Sequence, residues 1–205
     1  MYSRCGKRIF DLIVVLPALV VLTPVMLLVA LLVRLKLGSP VIFCQQRPGL
    51  HGKPFAIYKF RTMTNGCDVE GNLLPDVQRL TALGRFLRST SLDELPEFFN
   101  VLKGDMSLVG PRPLLMKYLP YYTERERKRF TVLPGITGWA QINGRNDLSW
   151  DERLDADAWY VENRSLVLDL KILALTLWKA LRRDGVRIDP HATMLNLDEE
   201  RGGMS

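Results

Sequence analysis

Leu12-Ile-Val-Val-Leu-Pro-Ala-Leu-Val-Val-Leu-Thr-Pro-Val-Met-Leu-Leu-Val-Ala-Leu-Leu-Val33 is an unbroken apolar run between Asp11 and Arg34. At about 1.5 Å per helical residue it is long enough to cross a ~30 Å hydrocarbon core. Its flanks argue against a simple crossing. Arg4, Lys7 and Arg8 precede it and Arg34 and Lys36 follow it, whereas a spanning helix keeps its basic end on one side. Pro24 removes one N–H and its ring clashes with a carbonyl of the preceding turn, while the Thr23 hydroxyl can bond back to that turn. The pattern predicts a re-entrant helix-break-helix, broken at Thr23-Pro24, that enters one leaflet and returns. A kinked single-pass helix is the alternative. A cleaved signal peptide fits less well, since no small-x-small site follows the run.

Outward from the anchor, the 205-residue chain leaves enough sequence for one domain with its own core. A formal net charge of +6 suits anionic lipid or phosphate ligands, with nucleic acid as the competing partner. No nucleic-acid motif is present, and the apolar segment favours lipid. Cys5, Cys44 and Cys67 are odd in number and lack C-x-x-C spacing, which points to neither a disulfide framework nor a zinc site. His51 and His191 lie in a turn-like stretch and a polar tail, so acid, base and nucleophile roles fall to carboxylates.

Val41-Ile-Phe-Cys-Gln and Phe55-Ala-Ile-Tyr-Lys-Phe, separated by glycines and prolines, predict a β-hairpin. Arg79 to Arg88 reads as helical. So do Leu92, Leu95, Phe98, Phe99 and Leu102, stopped by Lys103-Gly104. A basic amphipathic helix closes the domain, with Leu170, Leu173, Ala174, Leu177, Trp178 and Leu181 on one face and Lys171, Lys179, Arg182 and Arg183 on the other. Packing on a core and lying on a membrane are both open to it. From Asp189 the tail reads as frayed.

The chemistry concentrates at Asp93-Glu94, inside Arg88-Ser-Thr-Ser-Leu-Asp-Glu-Leu-Pro. Ser91-x-x-Glu94 also fits a purely structural capping box, although Pro96 draws the helix start to between Leu92 and Leu95. Asp93 lies at a helix N-terminus on either reading, where free N–H groups favour a carboxylate and attract phosphate. Cationic partners are available in Lys59-Phe-Arg61, Arg85-Phe-Leu-Arg88 and Gly110-Pro-Arg112-Pro. The flanking prolines single out Arg112 by fixing its backbone. Pro134-Gly-Ile-Thr-Gly-Trp-Ala-Gln-Ile-Asn-Gly-Arg145 adds Gln141, Asn143 and Arg145 beside glycines that let a ligand approach. A hairpin is the plainer reading of that stretch.

Taken with the anchor, the motifs Lys59-Phe-Arg-Thr-Met, Leu73-Leu-Pro-Asp, Ser91-Leu-Asp-Glu-Leu-Pro, Asn100-Val-Leu-Lys-Gly-Asp-Met-Ser-Leu-Val-Gly-Pro-Arg-Pro and Pro134-Gly-Ile-Thr-Gly strongly resemble the small monotopic bacterial phosphoglycosyl transferases. Within that family the likeness is greatest to enzymes using UDP-diacetylbacillosamine, with a UDP-galactose, UDP-GalNAc or UDP-GlcNAc type donor as one alternative and a non-catalytic membrane-associated adaptor as the other. The resemblance implies transfer of a phosphosugar from a UDP-sugar to undecaprenyl phosphate at the cytoplasmic face of the bacterial inner membrane, releasing UMP. It implies Asp93 as nucleophile through an aspartyl phosphosugar, Glu94 as assisting carboxylate, and Mg2+ held by Asp93 and phosphate oxygens. Lys59, Arg61, Arg88, Arg112, Gln141 and Arg145 become candidate substrate and phosphate contacts. The expected architecture is α+β and mainly helical, with one β-hairpin and amphipathic interfacial helices. It divides into a re-entrant anchor over residues 1–36, a cytoplasmic catalytic domain over 37–188 and a polar tail over 189–205.

Three positions depart from the family pattern. Thr23 stands where serine is common and keeps the hydroxyl. Glu97 replaces the more usual glutamine and puts a third carboxylate about one turn from Asp93, where it either biases metal binding or faces solvent, the second being the expectation. Trp139 replaces a smaller aliphatic residue and is expected either to stack on uracil or to pack.

Overall fold

The apolar run forms one helix, α1 (Arg4–Leu37), which stays helical through Pro17 and Pro24. The break expected at Thr23-Pro24 is therefore not displayed, although the Thr23 hydroxyl does donate to the Leu19 carbonyl at 2.6 Å. The computed structural model describes residues 4–144, 148–182 and 196–202. Both halves of α1 lie on the same body. Arg8 donates to the Val101 and Leu102 carbonyls, and Val15 joins a core of Ile57, Val101, Met106, Val109 and Ile172. Further along, Met26, Val29 and Val33 pack with Phe60 and Leu87. The opposite stripe, with Ile13, Leu16, Val20, Leu27, Leu31 and Leu35, stays exposed.

The predicted hairpin forms from β1 (Ile42–Pro48) and β2 (Pro54–Phe60), with Phe43 opposite Lys59 and Gln45 opposite Ile57. Side chains alternate between sheet faces, so Phe43, Gln45 and Arg47 share a face with Ile57 and Lys59. Two short helices follow, α2 (Asp76–Arg79) and α3 (Ala82–Ser89). Helix α3 sits directly on the chain leaving β2: a Cβ at Gly84 would stand 1.9 Å from the Thr62 carbonyl oxygen, so only glycine permits the contact.

A 3₁₀ turn, Leu92–Glu94, leads into α4 (Glu97–Lys103), which stops at Gly104 as expected. The glycine-rich stretch is not a hairpin. Its β4 (Gly135–Thr137) pairs in parallel with β3 (Ser107–Val109). A Cβ at Gly135 would lie 2.0 Å from the Gly110 nitrogen, so this glycine serves backbone against backbone rather than a ligand. These three-residue strands are too short to show a period in sequence.

The remaining helices are α5 (Trp139–Ile142), α6 (Trp150–Asn163), α7 (Leu166–Arg182) and α8 (Leu197–Gly202). In α7 the core contacts come from Leu168, Ile172, Leu173 and Leu175, while Val167, Leu170, Leu177 and Trp178 remain exposed. Most of the expected apolar face thus points away from the core. The side chain of Leu181, and all of Arg183, fall outside the described residues. Part of the tail expected to fray is docked: Leu197 is fully buried with Tyr118, Tyr122, Trp150 and Leu154, and Arg201 pairs with Glu126 and Asp151. Burying a leucine is worth about 1.5–3 kcal/mol, enough to seat so short a helix.

Candidate active site

A cleft of about 800 Å³ opens between the hairpin, the chain leaving β2, α2, α3 and the 3₁₀ turn. Asp93 lines it from that turn at 7% exposure and makes no hydrogen bond or ion pair among the described residues. The capping-box reading fails here. Ser91 is left-handed, at φ 55°, and makes no side-chain cap bond. Glu94 turns instead toward cations, its Oε1 accepting from Lys59 Nζ at 2.6 Å and from Arg112 Nη2.

Burial raises the Asp93 carboxyl above its usual range and the neighbouring Glu94 charge adds to the effect, while Lys59, Arg88 and Arg112 oppose it. Burial acts on Glu94 in the same direction. There the charges and hydrogen bonds of Arg112 and Lys59 together outweigh it and hold the group well below the ordinary carboxylate range. Neighbouring acids are thereby driven apart. One is a desolvated, unpartnered carboxylate, and the other is a locked anion that fixes two cations.

Of the remaining sequence candidates, Arg88 lines the cleft and donates through Nε to Thr62 Oγ1 at 3.1 Å. Arg61 also lines it, but spends Nε and Nη1 on the Met63 and Ser39 carbonyls. Arg112 is 41% exposed at the rim, and its own carbonyl accepts from Arg129 at 2.6 Å. Buried Asp157 holds that arginine at 2.9 Å. Gln141 is not among the cleft residues: its amide donates to the Ile136 carbonyl at 2.9 Å, on the inside of the β4–α5 turn. The glycines there had suggested a ligand, whereas they accommodate β3. Arg145 lies outside the described residues.

Two site residues escaped the sequence reading. Arg47 lines the cleft with its Nε buried and unpartnered among the described residues, and the alternation of β1 would have placed it on the sheet face that carries Lys59. Glu97, expected in solvent, is 1% exposed, with Oε1 3.1 Å from Lys59 Nζ. It points inward because α4 begins at Glu97 and turns its first residue toward β2. Trp139 packs, its ring stacked on Trp159 at 4.7 Å between centroids.

Residues 2–183 match the sequence model described as bacterial sugar transferase. The chain is 58% identical over 187 residues to the uncharacterized sugar transferase EpsL of Bacillus subtilis (strain 168), covering 91% of this chain and 93% of that protein. It is 43% identical over 200 residues to the undecaprenyl-phosphate galactose phosphotransferase of Salmonella typhimurium, covering 89% of this chain and 42% of that one. Identity is 44% over 184 residues to the UDP-glucose:undecaprenyl-phosphate glucose-1-phosphate transferase of Klebsiella pneumoniae, covering 84% and 39% respectively. The chain thus spans about two fifths of the two longer relatives.

Proposed function

The chain belongs to the bacterial sugar transferase family, and we propose that it moves a phosphosugar from a UDP-sugar to undecaprenyl phosphate, releasing UMP. The observation that carries this reading is the unpartnered Asp93 carboxylate in a cleft ringed by Lys59, Arg88, Arg112 and Arg47. Relatives named for galactose and glucose phosphate transfer support the reaction class. The diacetylbacillosamine likeness remains an alternative for the donor.

In the first step an Asp93 oxygen attacks the β-phosphorus. The bond from that phosphorus to the bridging oxygen breaks, and UMP departs with the electron pair. In the second, an oxygen of undecaprenyl phosphate attacks the same phosphorus, Asp93 leaves as carboxylate, and a diphosphate-linked sugar remains. Splitting the transfer divides one high barrier into two lower ones. Glu94 is too acidic to be an effective base, and its work is to hold Lys59 and the Arg112 fork toward the phosphates. Among the described residues no group of three His, Cys, Asp or Glu is placed to hold a metal. Mg2+ binds through one or two carboxylates with phosphate oxygens and water, and Asp93, without a partner among the described residues, is the carboxylate that would hold it. The ion would supply charge to screen the approach of one anion to another.

The membrane reading extends the same proposal. The exposed stripe of α1 inserts as a re-entrant element and α7 lies in the interface through Val167, Leu170, Leu177 and Trp178, with the cleft on the cytoplasmic face of the bacterial inner membrane. Support comes from both ends of α1 resting on one body. Single cysteines at Ser3 and Ser39 should label from the same side, and opposite labelling would sink it.

The reaction is tested without acceptor. Enzyme, magnesium and a panel of UDP-sugars should give a stoichiometric burst of UMP and a mass increase of one phosphosugar on the peptide containing Asp93. UMP formation that strictly requires undecaprenyl phosphate, with no adduct, would replace the two-step route by direct transfer.

A further inference from the structure

Lys59 is asked to serve two acids. Its Nζ stands 2.6 Å from Glu94 Oε1 and 3.1 Å from Glu97 Oε1, yet Glu97 Oε1 is buried and meets no donor in hydrogen-bonding geometry. The shorter, directed bond therefore belongs to Glu94, and Glu97 is left with the longer and poorly directed contact to the same ammonium. The other charged groups facing Glu97 are Glu94 from the 3₁₀ turn and Arg112 from the loop after β3, with Arg47 from β1. Asp93 lies four residues before it, on the same turn as Glu94. At 1% exposure water cannot screen this group. A buried carboxylate so weakly compensated is cheapest when neutral.

Resting on the nucleotide-sugar reading above, a bound diphosphate brings fresh negative charge to the same cations. Arg47, Lys59 and Arg112 are the groups that must turn to it, and each one that does removes compensation from Glu97. We propose that Glu97 is a positioning residue that takes up one proton from solvent as the donor diphosphate binds, which frees Lys59 to bridge Glu94 and the incoming phosphate. Burial, reinforced by the Glu94 charge, pushes the Glu97 carboxyl up to about 7, so both forms coexist near neutral pH. Donor affinity then falls as pH rises above neutrality, approaching about tenfold per pH unit where a full proton is taken up.

The test is calorimetric titration of the full-length protein with UDP and magnesium near pH 7.5, in two buffers of different ionisation enthalpy. Wild type should take up several tenths of a proton more per UDP bound than Glu97→Gln. The wild-type Kd for UDP should also rise several-fold more between roughly pH 7 and 9. The glutamine side chain has the same shape as glutamate and no charge to bury, and a melting curve checks that the variant is folded. Equal proton uptake and parallel pH curves in the two proteins would overturn the proposal. So would uptake that persists in Glu97→Gln and vanishes in Asp93→Asn, since the proton would then sit on Asp93. Absence of UDP binding to wild type at any pH would instead remove the nucleotide-sugar reading, and the inference with it.

Discussion

Two segments share one pattern: Ser91-Leu-Asp93-Glu94 and Ser149-Trp-Asp151-Glu152. At the second the pattern does what local rules dictate. Ser149 is extended, its hydroxyl accepts from the Glu152 N–H, and Glu152 Oε2 accepts from the Ser149 N–H at 2.9 Å, a complete capping box opening α6. At the first, Ser91 is left-handed, the helix waits until Glu97, and Glu94 reaches Lys59 and Arg112. Proline at 96 moves the helix start beyond the reach of Ser91, and the cations outcompete a backbone N–H for the glutamate. Asp151 is consequently a 78% exposed surface acid, while Asp93 is buried in a cleft. A capping signature is thus structural only where no stronger donor competes for its glutamate.

The widest separation between the two sites comes from their aspartates. Asp93→Asn should abolish the UMP burst and the adduct, a loss of more than about a thousandfold, while Asp151→Asn leaves both within twofold or so of wild type. Comparable losses from the two would make Asp93 a structural acid like its counterpart.

A smaller effect is expected from Arg112→Lys. The charge is kept but the planar fork is lost, and about 1.5–3 kcal/mol of charge-assisted bonding corresponds to roughly a tenfold to hundredfold fall in kcat/KM. Unchanged kcat/KM would remove the arginine that distinguishes Glu94 from Glu152.

The smallest effects lie in stability. Ser149→Ala should lower it by about 1 kcal/mol in chemical denaturation, the usual value of a lost cap. Ser91→Gly should not lower it, because no cap bond is lost and glycine accepts the left-handed conformation. A loss at Ser91 matching that at Ser149 would mean both sites are caps.

Legibility followed the range of the physics. The hairpin and the stop at Gly104 rest on local chemistry and were readable. So was the field of Lys59, Arg88 and Arg112 around Asp93, as a set of motifs though not as a geometry. Glu97 was not, because nothing within its own helix says that β2 will cover it. Gln141 misled for the opposite reason: glycines suited to a ligand suit a parallel strand equally well, and only the pairing of β3 with β4 decides. Which way the apolar face of α7 turns was left open because Leu173 and Leu177 look alike in sequence although the first packs inward and the second does not.

The attachment of α1 at both ends bears on how deep the cleft around Asp93 would ride. A spanning helix answers a thicker or thinner bilayer by tilting, and carries any domain fused to it along. Here Arg8 is held by the end of α4 and Val33 by the packing around Phe60, so the helix cannot tilt without dragging the whole body. On the re-entrant placement proposed above, the height of Asp93 over the lipid is set by the protein rather than by acyl-chain length, and turnover should stay level across vesicles of differing thickness.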